Sequence, residues 1–176
     1  MEINIRQEIP ADYRSVILVI GSAFKNAEWS NQKEHLMVQR LRNSAAFIPE
    51  LSLVAETENR VIGHILLFHI KIKRNQNEYP ALGLAPVSVL PQYQRKGIGG
   101  RLIRKAHSIA SKMGFNAVIL VGHAGYYPRF GYRKARDFGI YLPFEVPDEY
   151  CFVIELKEKG LEGVSGMVEY PDEFYQ

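Results

Sequence analysis

Cysteine is almost absent from this chain: Cys151 is the only one among 176 residues. One thiol can neither close an internal disulfide nor build a multi-cysteine zinc centre, so a reducing, cytoplasmic setting is expected and no metal site is foreseen. Cys151 itself reads as a small buried hydrophobe in a strand. Long hydrophobic runs are missing too. The stretch "VIGHILLFHI" is broken by His64 and His69 and falls well short of the about 18 apolar residues that span a membrane. The opening "MEINIRQEIPADY" has no basic region leading into an apolar one, so no secretory signal and no membrane association are expected. An excess of charge of one sign is also lacking: 22 basic residues are interleaved with 19 acidic ones. No basic stripe with exposed aromatics results, which argues against a nucleic-acid partner. Repeats and low-complexity linkers do not occur, and 47% hydrophobic content is enough for one core.

What is present has a clear order. A short strand around Ile3 to Ile9 precedes two helical patterns, "PADYRSVILVIGSAF" and "NQKEHLMVQRLRNS", separated by the polar loop "KNAEWSN". From Leu51 the period changes to that of strands, with "TENR" as a hairpin turn between a short strand and a long one. After the polar stretch "RNQNEYP", which reads as a loop, "ALGLAPVSVL" is a third strand. A helix with Ile98, Leu102, Ile103, Ala106, Ile109, Ala110 and Met113 on one face follows, then "FNAVILVG", a strand apolar on both faces. Strand, helix, strand of this length implies a right-handed crossover and a parallel pair within a mixed central sheet, hence an α/β fold. One further strand is expected around Phe152 to Leu156. The reading divides the chain into a domain at 1–158 and a Gly-rich, acidic tail at 159–176, expected at the periphery.

The stretch "QYQRKGIGGRLIRKA", residues 92–106, carries three glycines where that helix begins. Glycine weakens a helix by roughly 0.5 to 1 kcal/mol relative to alanine. A helix N-terminus, however, presents unpaired backbone N–H groups and about half a positive charge, and Gly97, Gly99 and Gly100 leave these open to an anion. Arg95 and Lys96 add mobile positive charge. A phosphate or pyrophosphate ligand is the reading. A Walker loop is excluded because Arg101 and Leu102 follow Gly100. A dinucleotide fingerprint is excluded because Leu102 occupies the third small position.

With Gln94-x-x-Gly97-x-Gly99 directly after "VLP", the stretch "SVLPQYQRKGIGGRLI" resembles the acyl-coenzyme A signature of the GNAT superfamily of N-acetyltransferases. The order of elements from Ile3 to Leu156 is similar to that fold as well. The resemblance implies acetyl-CoA as cosubstrate. Its pyrophosphate would lie on the segment Gln94, Arg95, Lys96, Gly97, Ile98, Gly99 and Gly100, and its pantetheine amides along the strand edge at Val87, Ser88 and Val89. Pro86 interrupts that strand and cannot donate to a ladder, so a bulge is expected there.

Acetyl transfer from a thioester to an amine needs an uncharged nucleophile and a proton for the departing thiolate. Tyr127-x-x-x-Gly131-Tyr132 resembles the family's Tyr-x-x-x-Gly-Phe segment, whose tyrosine is the usual acid; Tyr126 beside it reads as core or pocket wall. The base is open. No carboxylate lies in "LAPVSV" or "AVILVG", so the candidates are bulk water, His123 and, behind it, Glu78, His64 and His69. The two last differ by an odd number and so face opposite sides of a strand. His35 and His107 are expected at solvent, and Glu28 with Trp29 is a conceivable cation patch. An N-acetyltransferase acting on a small-molecule or peptide amine by direct attack is the expectation. A noncatalytic acyl-CoA sensor is the alternative, and acceptor and oligomeric state stay open.

Overall fold

The computed structural model describes residues 1–175. Strand β1 (Asn4–Gln7) leads through a turn at Pro10–Asp12 into helices α1 (Tyr13–Phe24) and α2 (Glu34–Arg42). Three long strands follow: β2 (Phe47–Thr57), β3 (Arg60–Arg74) and β4 (Asn77–Val89). The β2–β3 hairpin turns on Glu58 and Asn59, with φ of 49° and 60°, as a two-residue turn matched to strand twist requires. Helix α3 (Ile98–Lys112) then crosses over to β5 (Ala117–Val121), which runs parallel to β4. Short strands β6 (Arg133–Lys134) and β7 (Ile140–Tyr141) precede β8 (Cys151–Glu155) and β9 (Gly166–Glu169).

All nine strands form one mixed sheet in the order β1-β2-β3-β4-β5-β8-β6, with β9 pairing to the far end of β3 and to β7. The α/β architecture with its parallel crossover is therefore the one expected. Helix α3 packs on one face, where Leu102 meets Gly63 of β3. Helices α1 and α2 cover the other, toward which His64 points. Gly114, with φ of 92°, ends the crossover helix, and β5 is buried at four of its five positions.

Three expectations need correction. The polar "RNQNEYP" is not a loop: β3 runs to Arg74 and β4 starts at Asn77, so the segment is the end of a hairpin whose exposed rungs carry Lys71, Lys73 and Glu78. Polar side chains are no obstacle to a strand where both faces meet water. The tail is not peripheral. Strand β9 pairs with Lys71–Lys73, Tyr170 is 6% exposed, and its ring stacks on Phe174 at 4.3 Å. His107 is not at solvent but half-buried, 2.7 Å from the Tyr132 hydroxyl.

Candidate active site

The parallel pairing of β4 and β5 is short, joining Leu82 to Val118 and Gly83 to Ile119. Beyond it the strands part. The β3–β4 register shifts between Ile65 and Leu67, opposite Ala85 and Pro86, which is the bulge expected where proline cannot donate. Past the bulge, Leu90 N–H donates to Ile62 C=O at 2.9 Å. Alternation along an antiparallel ladder then makes His64 and Ser88 the next hydrogen-bonded pair and turns the backbone groups of Val87 and Val89 away from β3. Of the three edge residues foreseen, Val87 and Val89 thus face the gap. Ser88 spends its backbone on β3, and its side chain is 2% exposed on the opposite face. The Gln94 side chain donates to Val89 C=O at 2.9 Å and ties the following loop to the strand.

That loop and the first turn of α3 form one wall of a cavity of about 590 Å³. Gly97, the N-cap, sits at φ 79°, a conformation that favours glycine, and no side chain caps the N–H groups of Ile98, Gly99 and Gly100. A Cβ at Gly97 would meet nothing within 4 Å, so the approach is open. Three guanidinium groups, Arg95, Arg104 and Arg129, and no carboxylate line the same cavity. Backbone donors, a helix dipole and converging arginines are the chemistry that holds a pyrophosphate. Arg129 is anchored by donating to Tyr126 C=O at 3.0 Å and Gly125 C=O at 3.3 Å, while Arg104 lies over the Phe130 ring at 5.0 Å. Lys96 does not reach the cavity and lies over Tyr93 at 5.5 Å.

A second cavity, about 560 Å³, opens at the end of β5. Val121, Gly122 and His123 form its floor, Trp29 from the α1–α2 loop one wall, and Val146, Pro147 and Tyr150 the other. The His123 ring meets Trp29 edge-on at 5.8 Å. His123 is the one histidine among the described residues that line it. Its carbonyl accepts from Tyr126 N–H at 3.1 Å and Tyr127 N–H at 3.4 Å, so the floor and the tyrosine pair move as one turn.

The three neighbouring phenols have different duties. Tyr132 is engaged with His107. Tyr126 lines the arginine cavity, and its hydroxyl lies 3.2 Å from where a Cβ on Gly99 would stand. Tyr127 is 8% exposed, packed edge-on against Tyr126 at 5.1 Å and Tyr132 at 5.7 Å. A Cβ on Gly122 would come 2.1 Å from the Tyr127 ring, so only glycine fits at that floor position. Burial, and then Tyr126, push the Tyr127 phenol well above the usual tyrosine range, so it holds its proton. Its hydroxyl bonds to no described side chain and is not among the sealed polar atoms.

These features agree with a comparison against known proteins. Residues 4–135 match the family model described as an acetyltransferase (GNAT) domain. The chain belongs to the GNAT acetyltransferases. Among GNAT relatives, it is 37% identical over 126 residues to the uncharacterized N-acetyltransferase YjhQ of Escherichia coli, covering 70% of each chain. Among solved structures it superposes on a GNAT family acetyltransferase from Brucella melitensis in complex with acetyl-CoA, with a TM-score of 0.81, 34% identity and 98% of each chain covered. It also superposes on YhbS from Escherichia coli in complex with CoA, with a TM-score of 0.87, 26% identity, and 100% and 93% of the two chains covered.

Within this GNAT fold the remaining candidate bases do not reach either cavity. His64 is fully buried, and burial followed by the Arg42 charge lowers its pKa to about 3. It sits 3.1 Å from Ser52 Oγ, which donates to Glu8 at 2.6 Å, and Glu8 pairs with Arg42. Glu78 is exposed between Lys71 at 3.1 Å and Lys73 at 3.2 Å, which hold its carboxyl below the usual range. His69 faces solvent against Phe115. Sequence reasoning gave Arg104 no place in the site. The available signal was spacing: residue 104 stands one turn after Gly100 and therefore on the same side.

Proposed function

We propose that the chain transfers the acetyl group of acetyl-CoA to a primary amine by direct attack, with the two cavities holding the two substrates on either side of the β4–β5 gap. The observation that supports it most is the arginine cavity at the first turn of α3, adjoining a strand edge where the backbone groups of Val87 and the N–H of Val89 point away from β3. The coenzyme supplies an activated acyl thioester, and Val87 and Val89 are suited to pair with its pantetheine amides. His123 removes a proton from the amine entering the β5 cavity. The neutral nitrogen forms a bond to the acetyl carbon as the carbon–sulfur bond breaks, Tyr127 protonates the departing thiolate, and the surplus proton of the acylated nitrogen passes to solvent. His123 returns its proton to solvent, from which Tyr127 is reloaded, so amine and thioester become amide, free thiol and one proton.

No Asp or Glu lines either cavity, which leaves the base to His123. Cys151 begins β8 and is buried, with its thiol pushed up by burial first and Asp148 second, so a covalent acyl-cysteine route is not supported. The test is release of CoA thiol and loss of amine measured together, with the Tyr127→Phe protein as control. Stoichiometric turnover is expected. Tight binding of acetyl-CoA without thiol release from any amine would replace this reading with that of an acyl-CoA sensor.

A further inference from the structure

The β5 cavity carries information about the acceptor that the glycine loop does not. Its walls are Trp29, Val146, Pro147 and Tyr150, and none of the residues lining it is Lys, Arg, Asp or Glu. An acceptor with a carboxylate or phosphate would leave that group desolvated with no cation to meet it. A polyamine would leave its second ammonium equally unmatched. A volume of about 560 Å³ suits a small molecule rather than a folded surface.

The segments that supply those walls have the opposite character. Residues 143–150, "PFEVPDEY", carry Glu145, Asp148 and Glu149 with no basic residue among them, and all three carboxylates are exposed. Asp148 alone is near a cation, Arg136 at 3.6 Å. Glu28, next to Trp29, is exposed as well. Exposed carboxylates flanking the wall residues in sequence give those segments a negative field that favours a protonated amine over anions, while the apolar interior suits what the amine is attached to.

We infer that the acceptor is a monoamine on an uncharged apolar or aromatic body, an arylalkylamine being the simplest such molecule, and that Trp29, Val146 and Tyr150 select it. This rests on the acetyl-transfer reading for the identity of the cavity, but it can be tested without turnover. Trp29 is the only tryptophan in the chain and is 66% exposed at the cavity wall, so its fluorescence reports occupancy directly.

Phenethylamine, phenylalanine and putrescine would each be titrated into the protein while Trp29 emission is followed. A saturable change with phenethylamine, at an affinity at least about tenfold above the other two, is expected, a gap of about 1.4 kcal/mol. Equal or tighter binding of phenylalanine or putrescine, or no response to phenethylamine, would overturn the inference. The Val146→Lys protein should reverse the order in favour of phenylalanine, with its fold checked by unchanged acetyl-CoA binding; an unchanged order would also overturn it. The two readings separate cleanly. Phenethylamine bound but not acetylated would sink acetyl transfer and leave the cavity chemistry standing, and faster acetylation of a charged amine would do the reverse.

Discussion

The cavity at the first turn of α3 and the cavity at the end of β5 are nearly equal in volume, about 590 and 560 Å³, and opposite in chemistry. The first is lined by three arginines and uncapped helix N–H groups. The second has aromatic and aliphatic walls with one histidine. On the function proposed above, the difference teaches how the work is divided. Phosphate recognition falls to the backbone around α3, where glycines expose N–H groups, and acceptor recognition to side chains on separate loops, at 29 and at 146–150.

The sharpest way to break this division is at the tyrosine that stands between the two sides. Tyr127→Phe should lower kcat by about 100-fold while the KM for acetyl-CoA changes little, as loss of a proton donor does. Gly122→Ala should mimic it, because the added Cβ would displace the Tyr127 ring. Parallel losses in kcat and in acetyl-CoA affinity would instead make Tyr127 part of the binding wall.

A smaller effect tests whether the arginine cavity acts alone. Arg104→Ala and Arg129→Ala should each weaken CoA binding by about tenfold, less at high salt because exposed charges are screened. The Trp29 response to phenethylamine should be unchanged in both. A shift in that response would show that the cavities are not independent.

An effect on stability rather than on binding contrasts the cavity histidine with the sealed one. His64 has a pKa lowered to about 3 by burial first and the Arg42 charge second, against 6.5 as its ordinary value. The unfolded chain therefore binds one more proton between those values, so this contribution to stability is complete above about pH 6.5 and is lost as pH falls toward 3. His107, lowered by burial to about 4, acts in the same sense. His64→Gln should flatten the slope of stability against pH by about 1.4 kcal/mol per unit in this window, measured by urea unfolding at several pH values. An unchanged slope would mean that His64 is not held neutral.

How much of this was legible in the sequence depended on range. The crossover helix, the bulge at Pro86 and the phosphate loop are written in contiguous residues, where periodicity, a missing donor and glycine spacing act locally. The β5 cavity is not, since Trp29, His123 and Val146 are distant in sequence and are brought together only by the tertiary fold. Tyr127 could be singled out by its spacing to Gly131, but its packing on Gly122 could not. The tail was misread because Gly-rich, acidic composition hides Leu161, Val168 and Tyr170, whose burial depends on β9 reaching β3. "RNQNEYP" was misread because its polarity reflects an exposed hairpin end and not a loop.

The most direct measurement is a calorimetric titration of acetyl-CoA into the wild-type protein and into Gly99→Glu, whose new side chain would point at the Tyr126 hydroxyl and bring negative charge to the helix N-terminus. Binding at one site in the wild type, weakened by at least about 100-fold in the variant while Trp29 still reports phenethylamine, is the expected result. Equal affinity of the two proteins for acetyl-CoA would contradict the placement of the pyrophosphate and, with it, the division between the cavities.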